Sequence, residues 1–300
     1  MPTAYLAAEG FERQLVEELA RAGVAQGELH GRLLVSDAPA IAAAWAVNIW
    51  RDVEEVPIAS IGAAASALRA RGRNWAVYAP LHAGRAKLIA ERLPHVSAKA
   101  LALGAPAPTA PLGSWTLLAT DRLLLSADCT SPFPNGEARF VEDRAGPPNR
   151  AYLKLWEALA VARAAPGPGA RCLDLGASPG GWSWSLARLG ASVVAVDKAP
   201  LDPRVAALPN VTWRGESAFA LDPATLATFD WLVCDIACYP ARLLTLVERW
   251  RAAGTVRRFV CTLKFQGATD HATAEAFAAL PGARLHHLHH NKHELTLFIS

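Results

Sequence analysis

The sequence predicts an α/β protein: a Rossmann-like, doubly wound parallel sheet that ends in an antiparallel hairpin, preceded by a smaller α+β domain. Three observations carry that prediction. Strand-like and helix-like runs alternate through the second half. A Gly-rich turn follows the first of those strands. The first half lacks the alternation, and a stretch rich in Pro, Gly, Asn and charge, from Thr130 to Asn149, separates the halves. The expected boundaries are residues 1–130 for the first domain, 131–149 for a linker and 150–300 for the α/β domain.

In the first domain, Phe11, Leu15, Val16 and Leu19 recur at helical spacing, with Glu12, Arg13, Glu17, Glu18 and Arg21 opposite. That pattern is an amphipathic surface helix. A β-like stretch follows at Arg32 to Val35. Alanine-rich runs predict helices over Ala38 to Trp50 and near Ala63 to Leu68, and three prolines make Ala105 to Pro111 a loop. Trp115 to Ala119 and Leu123 to Ser126, parted by little more than Asp121 and Arg122, predict a hairpin.

In the second domain the strand-like runs are Arg171 to Leu175, Ser192 to Val196, Val211 to Trp213, Trp231 to Cys234 and Phe259 to Leu263, with helical runs between most of them. Leu285 to Leu288 and Leu295 to Ile299 are then neighbouring strands joined by a polar turn around Asn291 and Lys292. A terminal hairpin on a parallel sheet is unusual for a dinucleotide-binding fold and usual for a methyltransferase-type sheet.

Composition bounds the function classes. The chain is 52% hydrophobic, and its 30 basic and 27 acidic residues leave a net charge of only +3. Residues 1–150 carry 15 of each sign and 151–300 carry 15 basic and 12 acidic, so any nucleic-acid surface is a local patch. Five scattered cysteines make no disulfide framework. The N-terminus lacks a signal-peptide pattern, and no run of eighteen uncharged apolar residues occurs, so the chain is expected to be cytoplasmic. Only six of the basic residues are lysines, and a lysine can do what arginine cannot, which is to lose its proton near neutral pH.

The segment from Cys172 to Trp182 runs from an apolar strand through a Gly-rich turn into a helix. Ligands of open α/β sheets bind at such strand ends. Gly176, Gly180 and Gly181 allow close backbone approach, and Asp197, 21 residues after Gly176, closes the next strand where an acid can accept both ribose hydroxyls of an adenosine. A dinucleotide loop needs G-x-G-x-x-G, but Ser178 stands at its second glycine and Pro179 removes an N–H from the diphosphate's path. S-adenosyl-L-methionine is therefore the favoured ligand, with a dinucleotide and an unliganded structural turn as rivals. Trp182 is the one tryptophan expected beside the cofactor.

Asp235 ends a buried strand at the same edge, without the Pro-Pro-aromatic sequence that amino-methylating enzymes show there. A nucleophilic cysteine at Cys234 or Cys238 is the alternative, set against the commoner buried structural role. Lys154 lies in the helical run ahead of the first strand, Lys264 ends a strand, and Glu294 opens the last one. With Asp235 they make a Lys, Asp, Lys, Glu set from four elements. A ribose hydroxyl is a poor nucleophile and needs a base within hydrogen-bond reach. An ordinary lysine is only about 0.1% neutral at pH 7.4, and lowering its pKa by about three units takes roughly 4 kcal/mol of environment. A second lysine and burial act in that direction. Lys264 is accordingly expected to accept the 2′-OH proton, Lys154 to position the hydroxyl, and Asp235 and Glu294 to orient the amines.

These residues resemble the FtsJ-like RNA 2′-O-methyltransferases, most closely the ribosomal large subunit methyltransferase M family. The matching pieces are Ser131-Pro-Phe133, Leu153-Lys-Leu155, Asp174-Leu-Gly-Ala-Ser-Pro-Gly-Gly-Trp182, Val196-Asp197, Cys234-Asp235, Leu263-Lys264 and Glu294, in order. The resemblance implies a catalytic tetrad at Lys154, Asp235, Lys264 and Glu294. It implies cofactor contacts at Ser178, Pro179, Gly180, Gly181, Asp197 and Asp235, with Glu216 where the family commonly has Asp. Ala151 stands where the family can place a serine. It also implies an RNA-capturing, THUMP-like first domain, with Glu9-Gly-Phe11-Glu in the style of the family's opening, and a cytidine of large-subunit ribosomal RNA as substrate. The main rival is a catalytically silent RNA-binding or assembly factor.

Other candidates carry alternatives. Arg69, Arg71, Arg73 and Trp75 could hold phosphates and stack a base, or form a solvated loop. Arg139, Arg144, Arg150, Arg257 and Arg258 are phosphate candidates or surface charges. His286, His287, His289, His290 and His293 invite a metal, but no cysteine or carboxylate pair with ligand spacing joins them, which leaves a polar strand near an RNA entrance.

Overall fold

The computed structural model describes residues 1–300 apart from Gln26. The chain forms two units, one of residues 1–100 and 107–139 and the other of residues 101–106 and 140–300.

The first unit runs β1 (Thr3–Ala7), α1 (Glu12–Arg21), β2 (Glu28–His30), β3 (Leu33–Ser36), β4 (Ala46–Arg51), β5 (Glu54–Pro57), α2 (Ile61–Arg71), β6 (Trp75–Val77), α3 (Ala83–Ala90), β7 (Gly113–Ala119), β8 (Arg122–Ser126) and β9 (Asp128–Cys129). They build a five-stranded sheet in the order β2-β3-β1-β4-β9 and a four-stranded sheet in the order β5-β8-β7-β6. The helix expected over Ala38 to Trp50 is absent. Its C-terminal half is β4, paired antiparallel with β1, because Val47, Ile49 and Trp50 fit a buried pleated surface and outweigh the alanines before them.

The second unit continues with α4 (Tyr152–Ala162), β10 (Arg171–Leu175), α5 (Gly181–Arg188), β11 (Ser192–Val196), α6 (Pro203–Ala206), β12 (Val211–Arg214), β13 (Phe229–Cys234), α7 (Pro240–Ala253), β14 (Val256–Lys264), α8 (His271–Ala278), β15 (Ala283–His286) and β16 (Glu294–Ile299). The seven strands form one sheet in the order β12-β11-β10-β13-β14-β16-β15. The first five are parallel, and β16 runs antiparallel to both β14 and β15. This is the α/β methyltransferase fold, a mixed sheet rather than a purely parallel one. The last connection, 287–293, is a turn-rich segment rather than a tight hairpin.

The strand order fixes where a ligand belongs. From β10 the chain builds outward to β11 and β12, then returns to β13 on the other side, so the crevice lies beyond the carboxyl ends of β10 and β13. α4 is buried from Tyr152 to Ala160, as a helix apolar almost all round must be. Trp156 stacks on Trp184 of α5 at 6.3 Å and donates its indole N–H to Ser185 Oγ at 2.9 Å, locking the two helices together. Among the described residues no helix is long and apolar enough to cross a membrane.

Candidate active site

The register of β10 on β13 pairs Leu175 with Cys234, so Gly176 and Asp235 leave the sheet side by side. Gly176 has φ +78°, and a Cβ there would run into the side chain of Ile236, which makes glycine the residue this turn requires. Beyond it opens a cleft of about 360 Å³, lined by Gly176, Ser178, Gly181, Trp182, Asp197, Asp235 and Lys264 and also by Asn149, Ala151, Asp174, Ala177, Ile236 and Ala237. Trp182 is buried and donates its indole N–H to the Ala151 carbonyl at 2.9 Å, so the Gly-rich turn is pinned to the start of α4. Asp197 accepts from the backbone N–H groups of Ser178 at 3.1 Å and Ala199 at 2.9 Å. Each of its oxygens keeps a lone pair for a ligand hydroxyl.

Register also brings the strand-end residues of the expected tetrad together. β14 pairs with β13, placing Lys264 beyond Cys234, and Lys264 lies opposite Glu294 of β16. Lys264 Nζ is 3.1 Å from Asp235 Oδ1 and donates to the Asp235 carbonyl at 2.6 Å. Lys154 comes from α4 and donates to the same Asp235 Oδ1 at 3.1 Å. Its Nζ is 2.5 Å from Glu294 Oε1. The roles are therefore unequal. Lys154 is 10% exposed and held by two carboxylates, whereas Lys264, 26% exposed, is paired among the described residues with Asp235 alone and opens onto the cleft.

Residues 147–267 match the family model described as FtsJ-like methyltransferase. The matched stretch, within the second unit, is thus similar to an FtsJ-like methyltransferase domain. The chain is 36% identical over 174 residues to the ribosomal RNA large subunit methyltransferase M of Halorhodospira halophila, covering 55% of this chain and 50% of that protein. It is 34% identical over 187 residues to the protein of the same name from Methylococcus capsulatus, covering 57% and 52%. The chain thus spans about half the length of the curated relatives it matches. Among solved structures it is similar to the fibrillarin pre-rRNA processing protein of Methanococcus jannaschii, with 16% identity, a TM-score of 0.34, and coverage of 44% of this chain and 66% of that one.

The cleft omits three of the expected contacts. Pro179 and Gly180 do not line it, and Glu216 does not either: its carboxylate is engaged by Arg214 Nε at 2.6 Å. Two polar lining residues, Asp174 and Asn149, were not among the expected contacts. Asp174 is 1% exposed, receives the Ser183 hydroxyl at 2.6 Å, and is pushed up to about 7 by burial despite that bond. Its signal was an acid inside an apolar strand two residues before the Gly-rich turn. Asn149 accepts the Ala151 N–H at 3.0 Å, an Asx turn that starts the approach to α4.

The rival chemistries find no support. Cys234 is buried and its thiol is raised, first by the hydrogen bond with Cys261 and then by burial, while burial pushes Cys238 up to about 11. Neither offers the thiolate that a nucleophile needs. No group of histidine, cysteine or acidic residues among the described residues could hold a metal ion. Trp75 is 5% exposed with its indole N–H on the Gly72 carbonyl, and Arg71 pairs with Glu54, so these two do not form a base-stacking loop.

Proposed function

We propose that this chain transfers a methyl group from S-adenosyl-L-methionine to a ribose 2′-hydroxyl of RNA, with a cytidine of large-subunit ribosomal RNA as the acceptor, in the cytoplasm. The observation that carries the reading is the convergence of Lys154, Asp235, Lys264 and Glu294, from four elements, beside the Gly-rich cleft. A module that only bound RNA would need neither lysine there.

The cleft fits the proposed donor. Its charged lining is two carboxylates, Asp197 and Asp235, joined by Asp174 only as that buried acid loses its proton near pH 7, against one amine, which suits a cationic sulfonium and an α-amino group and disfavours a diphosphate. Asp197 would hold the ribose hydroxyls, and the glycines would admit the methionine portion. Adenosylmethionine, when bound, would supply a methyl group on a cationic sulfonium, whose sulfur–methyl bond breaks as the oxygen–methyl bond forms and whose sulfur leaves as a neutral thioether. Lys264 Nζ, in its neutral form, takes the hydroxyl proton as the oxygen–methyl bond forms, so the O–H bond breaks while an N–H bond is made. Asp235 aims that amine from its carboxylate and its carbonyl. Lys154, held by Asp235 and Glu294, orients the hydroxyl and stabilises the developing alkoxide.

The first unit, a mixed α and β region, is proposed to be a THUMP-like element that captures the RNA. The experiment is single-turnover transfer of labelled methyl groups to undermethylated ribosomal RNA, with the product mapped by resistance to alkali. Label at one ribose, lost in Lys264→Ala while adenosylmethionine still binds, is the expected result. Cofactor binding with no transfer to any RNA would favour a silent binding factor instead.

A further inference from the structure

The five histidines between 286 and 293 do not join a metal-holding group among the described residues, and the segment they occupy is tied to α4 by an acid. Glu157 sits on α4 one turn after Lys154 and is 2% exposed. Its Oε1 accepts the backbone N–H of His289 at 2.7 Å, and its Oε2 accepts the backbone N–H of His290 at 2.9 Å and the His290 ring Nδ1–H at 2.6 Å. A buried carboxylate with three donors is strongly held, and removing it would leave those donors unsatisfied.

The same segment delivers Glu294. Asn291 donates its side-chain amide to the Glu294 carbonyl at 3.2 Å and to Thr296 Oγ1 at 3.1 Å, and Glu294 N–H closes on the Lys292 carbonyl at 2.8 Å. α4 therefore grips the connection at two points. Lys154 takes Glu294 directly, and Glu157, three residues on and so on the same helix face, takes the turn that precedes it.

We propose that Glu157 is a positioning residue: by clamping the 289–290 turn onto α4 it sets Glu294 against Lys154, and so fixes the amine that orients the hydroxyl. This rests on the methyltransferase reading above, and the test separates the two. The chain has six lysines, few enough for their side-chain methylene signals to be resolved by NMR, with Lys154→Arg identifying that of Lys154. In Glu157→Gln the Lys154 signal moves in the direction that Glu294→Gln moves it. Transfer at saturating cofactor and RNA falls at least about tenfold, while adenosylmethionine affinity stays within about twofold. The double variant is no slower than Glu294→Gln alone, because two residues acting through one contact are not additive.

A Lys154 signal unmoved in Glu157→Gln, or losses that multiply in the double variant, overturns the proposal. If Glu157→Gln does not fold, His290→Ala, which removes one of the three donors, gives a smaller displacement of the same signal, and no displacement overturns it equally. A Lys154 signal that moves as expected in a native protein that transfers no methyl group to RNA supports the clamp and sinks the functional reading instead.

Discussion

Lys264 and Arg differ in one property that the proposed chemistry needs. Arginine keeps the positive charge and can reach the same carboxylate, but it does not lose a proton in proteins. Lys264→Arg is therefore expected to retain adenosylmethionine binding and to lose transfer by about 10² to 10⁴, the usual contribution of a positioned base. Transfer close to native in that variant would leave Lys264 an electrostatic role only. Asp174 makes a separate prediction. Its folded-state pKa is raised to about 7 by burial, while in an unfolded chain an aspartate ionises near 3.9. Between those values the unfolded state has lost a proton that the folded state keeps, so stability is fully present below about pH 4 and falls as pH rises toward 7. Asp174→Asn removes this slope. Urea unfolding at pH 8 is expected to show the variant more stable by a few kcal/mol, because a tenfold difference in proton affinity between the two states is worth about 1.4 kcal/mol, with no gain at pH 4. A gain of equal size at both pH values would mean that the proton is not on Asp174.

Among the elements, the turn after β10 is where backbone geometry and ligand space coincide. Gly176→Ala must place a Cβ at φ +78° and against Ile236, so a loss of about 2–4 kcal/mol is expected from strain and crowding together, with weaker cofactor binding. Thermal unfolding and calorimetric titration check the two effects, and native stability would show that the turn relaxes. This turn was legible in the sequence because glycine, proline and an apolar strand leave few conformations open. So were the alternating strands, since buried parallel strands read as short apolar runs. Ala38 to Trp50 was misread because alanine signals helix locally, whereas pairing of Val47 and Ile49 with β1 is a long-range fact. In the candidate site, Asp235, Lys264 and Glu294 could be picked out at strand ends and Lys154 in the helical run ahead of the first strand. Their partners could not. That Glu294 lies on Lys154 while both lysines share one oxygen of Asp235 depends on how α4 docks on the sheet, and the clamp by Glu157 joins residues more than 130 apart in sequence.

At the scale of the molecule, each unit has cores of its own. One core in the second unit gathers Trp156, Trp182, Trp184 and Trp231 with Cys172 of β10 and Val193 and Ala195 of β11. Two in the first unit are built around Trp115 and Leu68, and around Trp50 and Leu6. A ligand stabilises only the folding unit whose native state it binds, by RT ln(1 + [L]/Kd), about 2.7 kcal/mol at a hundredfold excess over Kd. The cleft is made wholly of second-unit residues. Scanning calorimetry is therefore expected to resolve two transitions, of which adenosylhomocysteine raises one and leaves the other in place. Lys264→Ala keeps that response, since the proposed base is not what holds the cofactor, and Asp197→Ala abolishes it. One transition that rises as a whole would instead mean that the two units unfold together, and the stability of the first would then depend on the ligand of the second.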